Sequence, residues 1–177
     1  GTTWTQQQKI QASDKQVDDY FGTSVSISSD GNTAIVGAYG EDTGATSAGA
    51  TSAGAAYIFT WSGTTWTQQQ KIQASDKQAY DFFGFSVSIS EDGNTAIVGA
   101  YGEDTGGSDA GAAYIFTRSN SNWTEQNKIQ ASDKQAYDGF GGSVFISDDG
   151  NTAIVGASHE DTGGTNAGAA YLYKYIS

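Results

Sequence analysis

The 177-residue sequence has no cysteine, no proline and no methionine, and a single histidine. Without cysteine there is no disulfide staple and no thiolate chemistry. Without methionine the sequence is not a complete primary translation product, so a mature chain, a fragment or an ordered core is expected, and the absence of a leader says nothing about secretion. Basic residues are scarce: 8 Lys and Arg stand against 20 Asp and Glu, for a formal charge of −12. That balance argues against nucleic acid and anionic lipid, both of which reward clustered Lys and Arg. It suits cations, neutral sugars or basic partners, with solubility alone as the plainer explanation. No apolar run approaches the roughly 20 residues of a membrane helix, so no membrane insertion is expected. Helical periodicity is missing throughout.

Repetition is what the sequence does have. Tyr57, Tyr114 and Tyr171 each follow Gly-Ala-Ala at a spacing of 57 residues, while Trp4, Trp66 and Trp123 are spaced by 62 and 57. The five extra residues come from a tandem duplication, Thr46–Ala50 followed by Thr51–Ala55. A segment that tolerates such an insertion is expected to be a surface loop, because a strand would lose its register.

Each repeat reads as four strands. The first spans Trp4 to Ala12, with counterparts at Trp66 to Ala74 and Trp123 to Ala131. The second runs from Phe21 to Ser28, where Val25 and Ile27 alternate with serines at the period of a half-buried strand. Val87 and Ile89, then Val144 and Ile146, repeat it. The third is the short apolar run Thr33 to Ala38, and the fourth is Ala56 to Thr60. Asp30-Gly31-Asn32, Asp92-Gly93-Asn94 and Asp149-Gly150-Asn151 supply the hairpins between the second and third strands. An all-β fold of β-propeller-type blades follows, with three four-stranded antiparallel repeats of about 57 residues. A β-solenoid and a β-sandwich are the alternatives. Blade one is expected at about 21–74, blade two at about 83–131, and blade three at about 140–177 plus the strand 1–12.

The repeats resemble FG-GAP repeats, the blades of integrin α-subunit propellers, and more closely their bacterial-type relatives. Phe21-Gly22, Phe83-Gly84 and Phe140-Gly141 match the Phe-Gly signature. Val36-Gly37-Ala38-Tyr39, Val98-Gly99-Ala100-Tyr101 and Val155-Gly156-Ala157-Ser158 stand where the family has Gly-Ala-Pro, with the proline absent each time. The resemblance covers essentially the whole chain. It implies a propeller, usually of seven blades where this chain holds three, and calcium loops of the form Asp-x-Asp-x-Asp-Gly. Here those loops keep only Asp30, or Glu91 and Asp92, or Asp148 and Asp149. Calcium takes about six to eight oxygens, so plain hairpin turns are expected. Asp30, Asp92, Asp148 and Asp149 are the remaining metal candidates; no cofactor is called for, and Ca2+ is left open.

Alternating strand direction places the loop before Phe-Gly and the loop after Gly-Ala-Tyr on one face. Asp14, Asp18, Asp19, Asp76, Asp81, Asp133 and Asp138 populate the first loop; Glu41, Asp42, Glu103, Asp104, Glu160 and Asp161 populate the second. Tyr20, Tyr39, Tyr80, Tyr101 and Tyr137 share this face, which the resemblance also marks as the ligand face. Aromatics beside carboxylates can bind sugars or gather a divalent cation; the alternative is Asx turns and tyrosines packed between blades. Of these residues, Asp19, Tyr39, Glu41, Asp42, Asp81, Tyr101, Glu103, Asp104, Asp138, Glu160 and Asp161 form the candidate ligand face. Lys15, Lys77 and Lys134 recur beside Asp14, Asp76 and Asp133 as candidate exposed ion pairs. The tryptophans are expected to cover blade edges, with inter-blade sugar pockets as the sharper reading. Asn122-Trp123-Thr124 is an N-glycosylation sequon.

Catalytic parts are missing. His159 stands alone, no nucleophile elbow accompanies it, and the carboxylates recur in every repeat rather than forming one unique pair. No enzyme is expected. The chain begins with the strand that finishes a blade and ends one strand short. The segment Trp4 to Ala12 must therefore complete its own chain's last blade, giving a compact ring, or a neighbour's, giving a six-blade dimer or an open filament. A longer parent protein trimmed to this piece is a further alternative. The leading expectation is an extracellular or cell-surface structural or adhesive protein, a homo-oligomer through its N-terminal strand. A lectin-like or protein-binding module is the alternative.

Overall fold

A computed structural model describes residues 1–42 and 51–176. The first copy of the duplicated loop, Thr46–Ala50, lies outside the described residues. The described chain is all β, with eleven strands and no helix.

The first sheet, blade one, contains β1 (Val25–Ile27), β2 (Thr33–Ala38), β3 (Ala55–Trp61) and β4 (Trp66–Ile72) in that spatial order. Blade two repeats it with β5 (Ser86–Ile89), β6 (Thr95–Ala100), β7 (Ala112–Ser119) and β8 (Asn122–Ile129). Blade three has three strands: β9 (Ser143–Ile146), β10 (Thr152–Ala157) and β11 (Ala169–Lys174). Every neighbouring pair is antiparallel.

The Asp-Gly-Asn hairpins form as the sequence predicts. Gly31, Gly93 and Gly150 have φ of 68°, 66° and 70°, a left-handed backbone that glycine adopts without steric cost. Asp30 fixes its turn by accepting hydrogen bonds from the Ser28 hydroxyl and the Asn32 amide. β3 and β4 slip register between Ile58 and Phe59, as do β7 and β8 between Ile115 and Phe116. Such bulges increase the local twist of each blade.

The core lies between blades. Ile35 and Ile58 of blade one meet Phe83, Val87, Val98 and Tyr114 of blade two in one cluster. Ile97 and Ala113 of blade two meet Phe140, Ile146 and Val155 of blade three in the next. Close approach at these junctions demands glycine. A Cβ on Gly37 would overlap the Gly84 carbonyl oxygen, and one on Gly99 the Gly141 carbonyl oxygen. Serines stitch the inner strands together: the Val87 and Ile89 amides donate to the hydroxyls of Ser24 and Ser26, and the Ile146 amide donates to that of Ser88.

The N-terminal segment departs from expectation. Residues 4–12 form no strand and do not join blade three of their own chain. They lie against blade one, where Ile10 and Ala12 pack with Tyr57, Phe59 and Trp66. Gln8 exchanges two hydrogen bonds with the Trp66 backbone, at 3.0 and 2.8 Å. Gln70 of β4 does the same to Trp123 of β8, at 2.9 and 2.8 Å. The segment therefore stands where the outer strand of a preceding blade would stand. Among the described residues no inner strand lies beside it to form a ladder. Trp4, expected to cover an edge, is fully exposed. Trp123 does cover one: it is buried, and its indole N–H donates to Gln69.

Candidate functional site

The two predicted loops do share a face. The Gly40, Gly102 and His159 amides donate to the carbonyls of Asp19, Asp81 and Asp138, pinning one loop over the other in each repeat. The left-handed residues before each Phe-Gly, among them Tyr20, Tyr80, Phe82 and Tyr137, bend the first loop over the blade.

Asp19, Glu41, Asp81, Glu103, Asp138 and Glu160 on this face are buried. Glu41 and Glu103 are 1% exposed. Lys71 bridges Glu41 and Asp14 at 2.6 and 2.7 Å, and Lys128 bridges Glu103 and Asp76 at 2.7 Å each. The phenols of Tyr57 and Tyr114 donate to Asp14 and Asp76, and the side-chain amides of Gln73 and Gln130 donate to Glu41 and Glu103. Each of the first two blades thus carries one Asp–Lys–Glu–Tyr network, with its glutamate and tyrosine buried and its aspartate exposed. Partial burial works against ionisation of Asp76, but the hydrogen bonds from Lys128 and Tyr114 outweigh it and hold the group below its ordinary pKa. Burial, the Asp76 hydrogen bond and nearby negative charge push the Tyr114 phenol far upward.

Lys15, Lys77 and Lys134 are not the partners of the adjacent aspartates. Lys77 donates to Gln73 instead, and Asp14 and Asp76 pair with lysines 57 and 52 residues away. Blade curvature makes these contacts, so adjacency in the chain misleads. The signal that could have found them is the recurrence of Lys71 and Lys128 at one place in the repeat.

Asp19, Asp81 and Asp138 are buried and cap their own loops by accepting the amides of Gln16, Gln78 and Gln135. Asp81 keeps one carboxylate oxygen buried without a hydrogen-bond partner among the described residues. Burial, with Glu103, Asp76 and Asp104 adding negative charge nearby, pushes it up to about 7. Asp42, Asp104 and Asp161 are exposed and accept the amides of Ser52, Asp109 and Asn166. In the hairpins, Asp30, Asp92 and Asp149 hold their own turns by accepting from a serine hydroxyl and an asparagine amide. Asp148 is exposed, and its carbonyl accepts the Glu91 amide across the blade junction. Among the described residues no three His, Asp or Glu side chains form a metal-holding group.

Tyr39 and Tyr101 are half-buried in an aromatic ladder. Tyr39 stacks on Tyr20 at 4.9 Å and meets Phe82 and Phe85; Tyr101 stacks on Phe82 at 5.0 Å and meets Phe85. Blade three breaks the ladder, with Gly139, Gly142 and Ser158 in the places of Phe82, Phe85 and Tyr101. A hollow of about 740 Å³ results, lined by Phe85, Tyr101, Ser158, His159 and the open face of β10. Aligning the repeats position by position would have revealed this loss of aromatics.

Asp133 accepts the Tyr171 phenol and Glu160 accepts from Thr162, but no lysine reaches either among the described residues. Ile154 and Leu172 are 40% and 74% exposed, whereas their equivalents Ile35 and Ile58 are fully buried. At the other end, Val25 and Ile27 of blade one are more than half exposed, whereas Val87 and Ile89 are buried.

A family model for the FG-GAP repeat matches residues 4–59, 66–116 and 123–173. The chain belongs to the FG-GAP repeat family. Each FG-GAP match begins at its tryptophan, so the family's unit starts with the outer strand of one blade and continues into the next. No curated protein sequence matches the chain. Among solved structures, Saccharomyces cerevisiae Sqt1 superposes with a TM-score of 0.53 at 10% identity, over 90% of this chain and 33% of that one. A Pseudomonas aeruginosa periplasmic gluconolactonase, PpgL, gives 0.53 at 17% identity, over 87% of this chain and 39% of that one. At such identities the likeness shows the fold, that of β-propeller blades. The FG-GAP chain spans 33–39% of the length of these two structures.

Proposed function

We propose that this FG-GAP chain is a non-catalytic structural or adhesive module that works outside the cytoplasm and self-associates through its terminal blades. One observation carries the reading: consecutive blades dock through repeated contacts, Gly37 against Gly84 and Gly99 against Gly141, with serine hydroxyls accepting the next blade's amides, so the unit is built to pack on others of its kind. Ile154 and Leu172 on blade three, and Val25 and Ile27 on blade one, are surfaces of the kind that internal blades cover. Fully burying one such side chain contributes about 1.5–3 kcal/mol. The rim supports a non-catalytic role, since Glu41 and Glu103 are tied into lysine networks and Asp19, Asp81 and Asp138 cap loops. The membership in the FG-GAP family and the periplasmic neighbour support the location. Light scattering on the 177-residue chain should give a mass that rises above 18.4 kDa with concentration, and Leu172→Glu should suppress that rise. A constant monomer mass overturns the reading.

The hollow beside Tyr101 and His159 favours a second reading, a sugar- or protein-binding module. Screening a glycan array with and without EDTA tests it; no binding under either condition sinks it.

A further inference from the structure

We propose that Asn122 accepts an N-linked glycan, which stands on the outer edge of blade two, clear of its junctions. The proposal rests on the location part of the functional reading and does not need self-association. Asn122-Trp123-Thr124 is the acceptor pattern for N-glycosylation and occurs once in the sequence.

Strand geometry sorts the three residues. Successive side chains point to opposite faces of a strand, so Asn122 and Thr124 share one side of β8 and Trp123 takes the other. Asn122 and Thr124 are exposed. Trp123 is buried, its indole N–H donates to Gln69 at 3.1 Å, and the Arg118 guanidinium lies over its ring at 5.8 Å. The middle residue anchors the strand while the acceptor amide and the hydroxyl face water.

The fold makes no use of the Asn122 side chain. Its blade-one equivalent is Thr65, whose hydroxyl lies 3.1 Å from that of Ser62 across the β3–β4 turn. Blade two builds the same turn, with Asn120 left-handed at a φ of 57° where Gly63 has 93°, and Asn122 facing Ser119. Among the described residues no hydrogen bond joins the Ser119 and Asn122 side chains, and none holds the Asn122 amide.

The position suits a bulky group. β8 is the outermost strand in the order β5-β6-β7-β8. The β7–β8 turn lies at the hairpin end of the blade, where the Arg118 amide donates to the Asn94 carbonyl, and the acidic loops lie at the other end. The glutamine clamp from Gln70 holds the Trp123 backbone and leaves the Asn122 side chain alone. A glycan here also shields the start of an edge strand, whose unpaired backbone groups invite other chains.

The transfer balances without oxidant or reductant. The Asn122 amide nitrogen attacks the anomeric carbon of a polyprenyl-diphosphate-linked oligosaccharide. An N–C bond forms, the bond from that carbon to the diphosphate oxygen breaks, the polyprenyl diphosphate leaves, and the amide gives up one proton. Reaction on the nascent chain, before Trp123 is buried, leaves all three residues reachable.

Expression of the 177-residue chain behind a secretory leader in eukaryotic cells tests the site. Most of the chain should migrate above its unmodified 18.4 kDa. Peptide-N-glycanase should reverse the shift and convert Asn122 to Asp, read by mass spectrometry on the tryptic peptide Ser119–Lys128. Asn122→Gln and Thr124→Ala should each abolish the shift, and Thr124→Ser should keep it. The glycosylated chain and Asn122→Gln should share a thermal midpoint, because the amide has no partner to lose. A chain that carries no glycan, secreted or retained, overturns the proposal. The leader imposes export, so that result leaves the location and self-association readings standing. An occupied site with a lowered midpoint overturns the outward placement.

Discussion

Asp81 shows how a single side chain can set a pH response. It is 1% exposed, one of its oxygens lacks a partner among the described residues, and burial pushes it up to about 7 from a reference of 3.8. Between those values the folded chain holds a proton that the unfolded chain has lost. Stability from this group is therefore present at low pH and falls as pH rises from about 4 to about 7. Asp76 acts in the opposite sense: its lowered pKa contributes stability above the unfolded value that is lost as acid protonates it. Asp81→Asn keeps an acceptor for the Gln78 amide and removes the buried charge. Its melting temperature should exceed the parent's at pH 8, and the gap should close toward pH 4. A gap of constant size across that range would mean that burial does not raise the Asp81 pKa. Sequence revealed Asp81 as a rim carboxylate but not its burial, because alternation along a strand says nothing about a loop folded back over the sheet.

At the scale of elements, the same glycine recurs in three settings. Gly37 and Gly99 sit against the backbone of the following blade, while Gly156 does not. Gly99→Ala drives a methyl into the Gly141 carbonyl, and backbone cannot yield as a flexible side chain would. Overpacking of this kind costs roughly 1–3 kcal/mol, so urea midpoints should drop for Gly37→Ala and Gly99→Ala but hold for Gly156→Ala under monomeric conditions. Equal losses at all three positions would contradict the open end of blade three. The hairpins and the strand Thr33–Ala38 were readable from the sequence because turn chemistry and apolar runs are local. The strand predicted at Phe21 to Ser28 shortens to Val25–Ile27, because Phe21 and Gly22 are taken up in the loop that crosses the rim. The expectation of a strand at 4–12 failed for a different reason. Pattern alone identifies a segment that can pair; pairing also needs a neighbour.

For the whole molecule, the N-terminal segment links two properties. Ile10 and Ala12 cover Tyr57 and Phe59, so removal of residues 1–12 should expose the front of blade one as well as abolish self-association. Hydrogen exchange should show faster exchange in β3 and β4 of the truncated chain, with β6 and β7 little changed. Uniform acceleration across all three blades would show that the segment supports the fold globally rather than at one end. The three-repeat architecture was legible in spacing alone. The lysine networks left only the recurrence of Lys71 and Lys128 as a trace, since each joins residues from distant parts of the sequence that the folded sheets bring together.

The glutamine clamp has an evolutionary consequence. Gln70 reaches across to the amide and carbonyl of Trp123. A side-chain amide there imitates a peptide group, and it reads only backbone. This backbone contact places no demand on the neighbour's side chain, so a gene segment encoding one unit can be copied in tandem with the contact kept. Copy number in such a lineage is free to drift by unequal recombination, and the length of the assembled object becomes a heritable variable separate from the chemistry of any one unit.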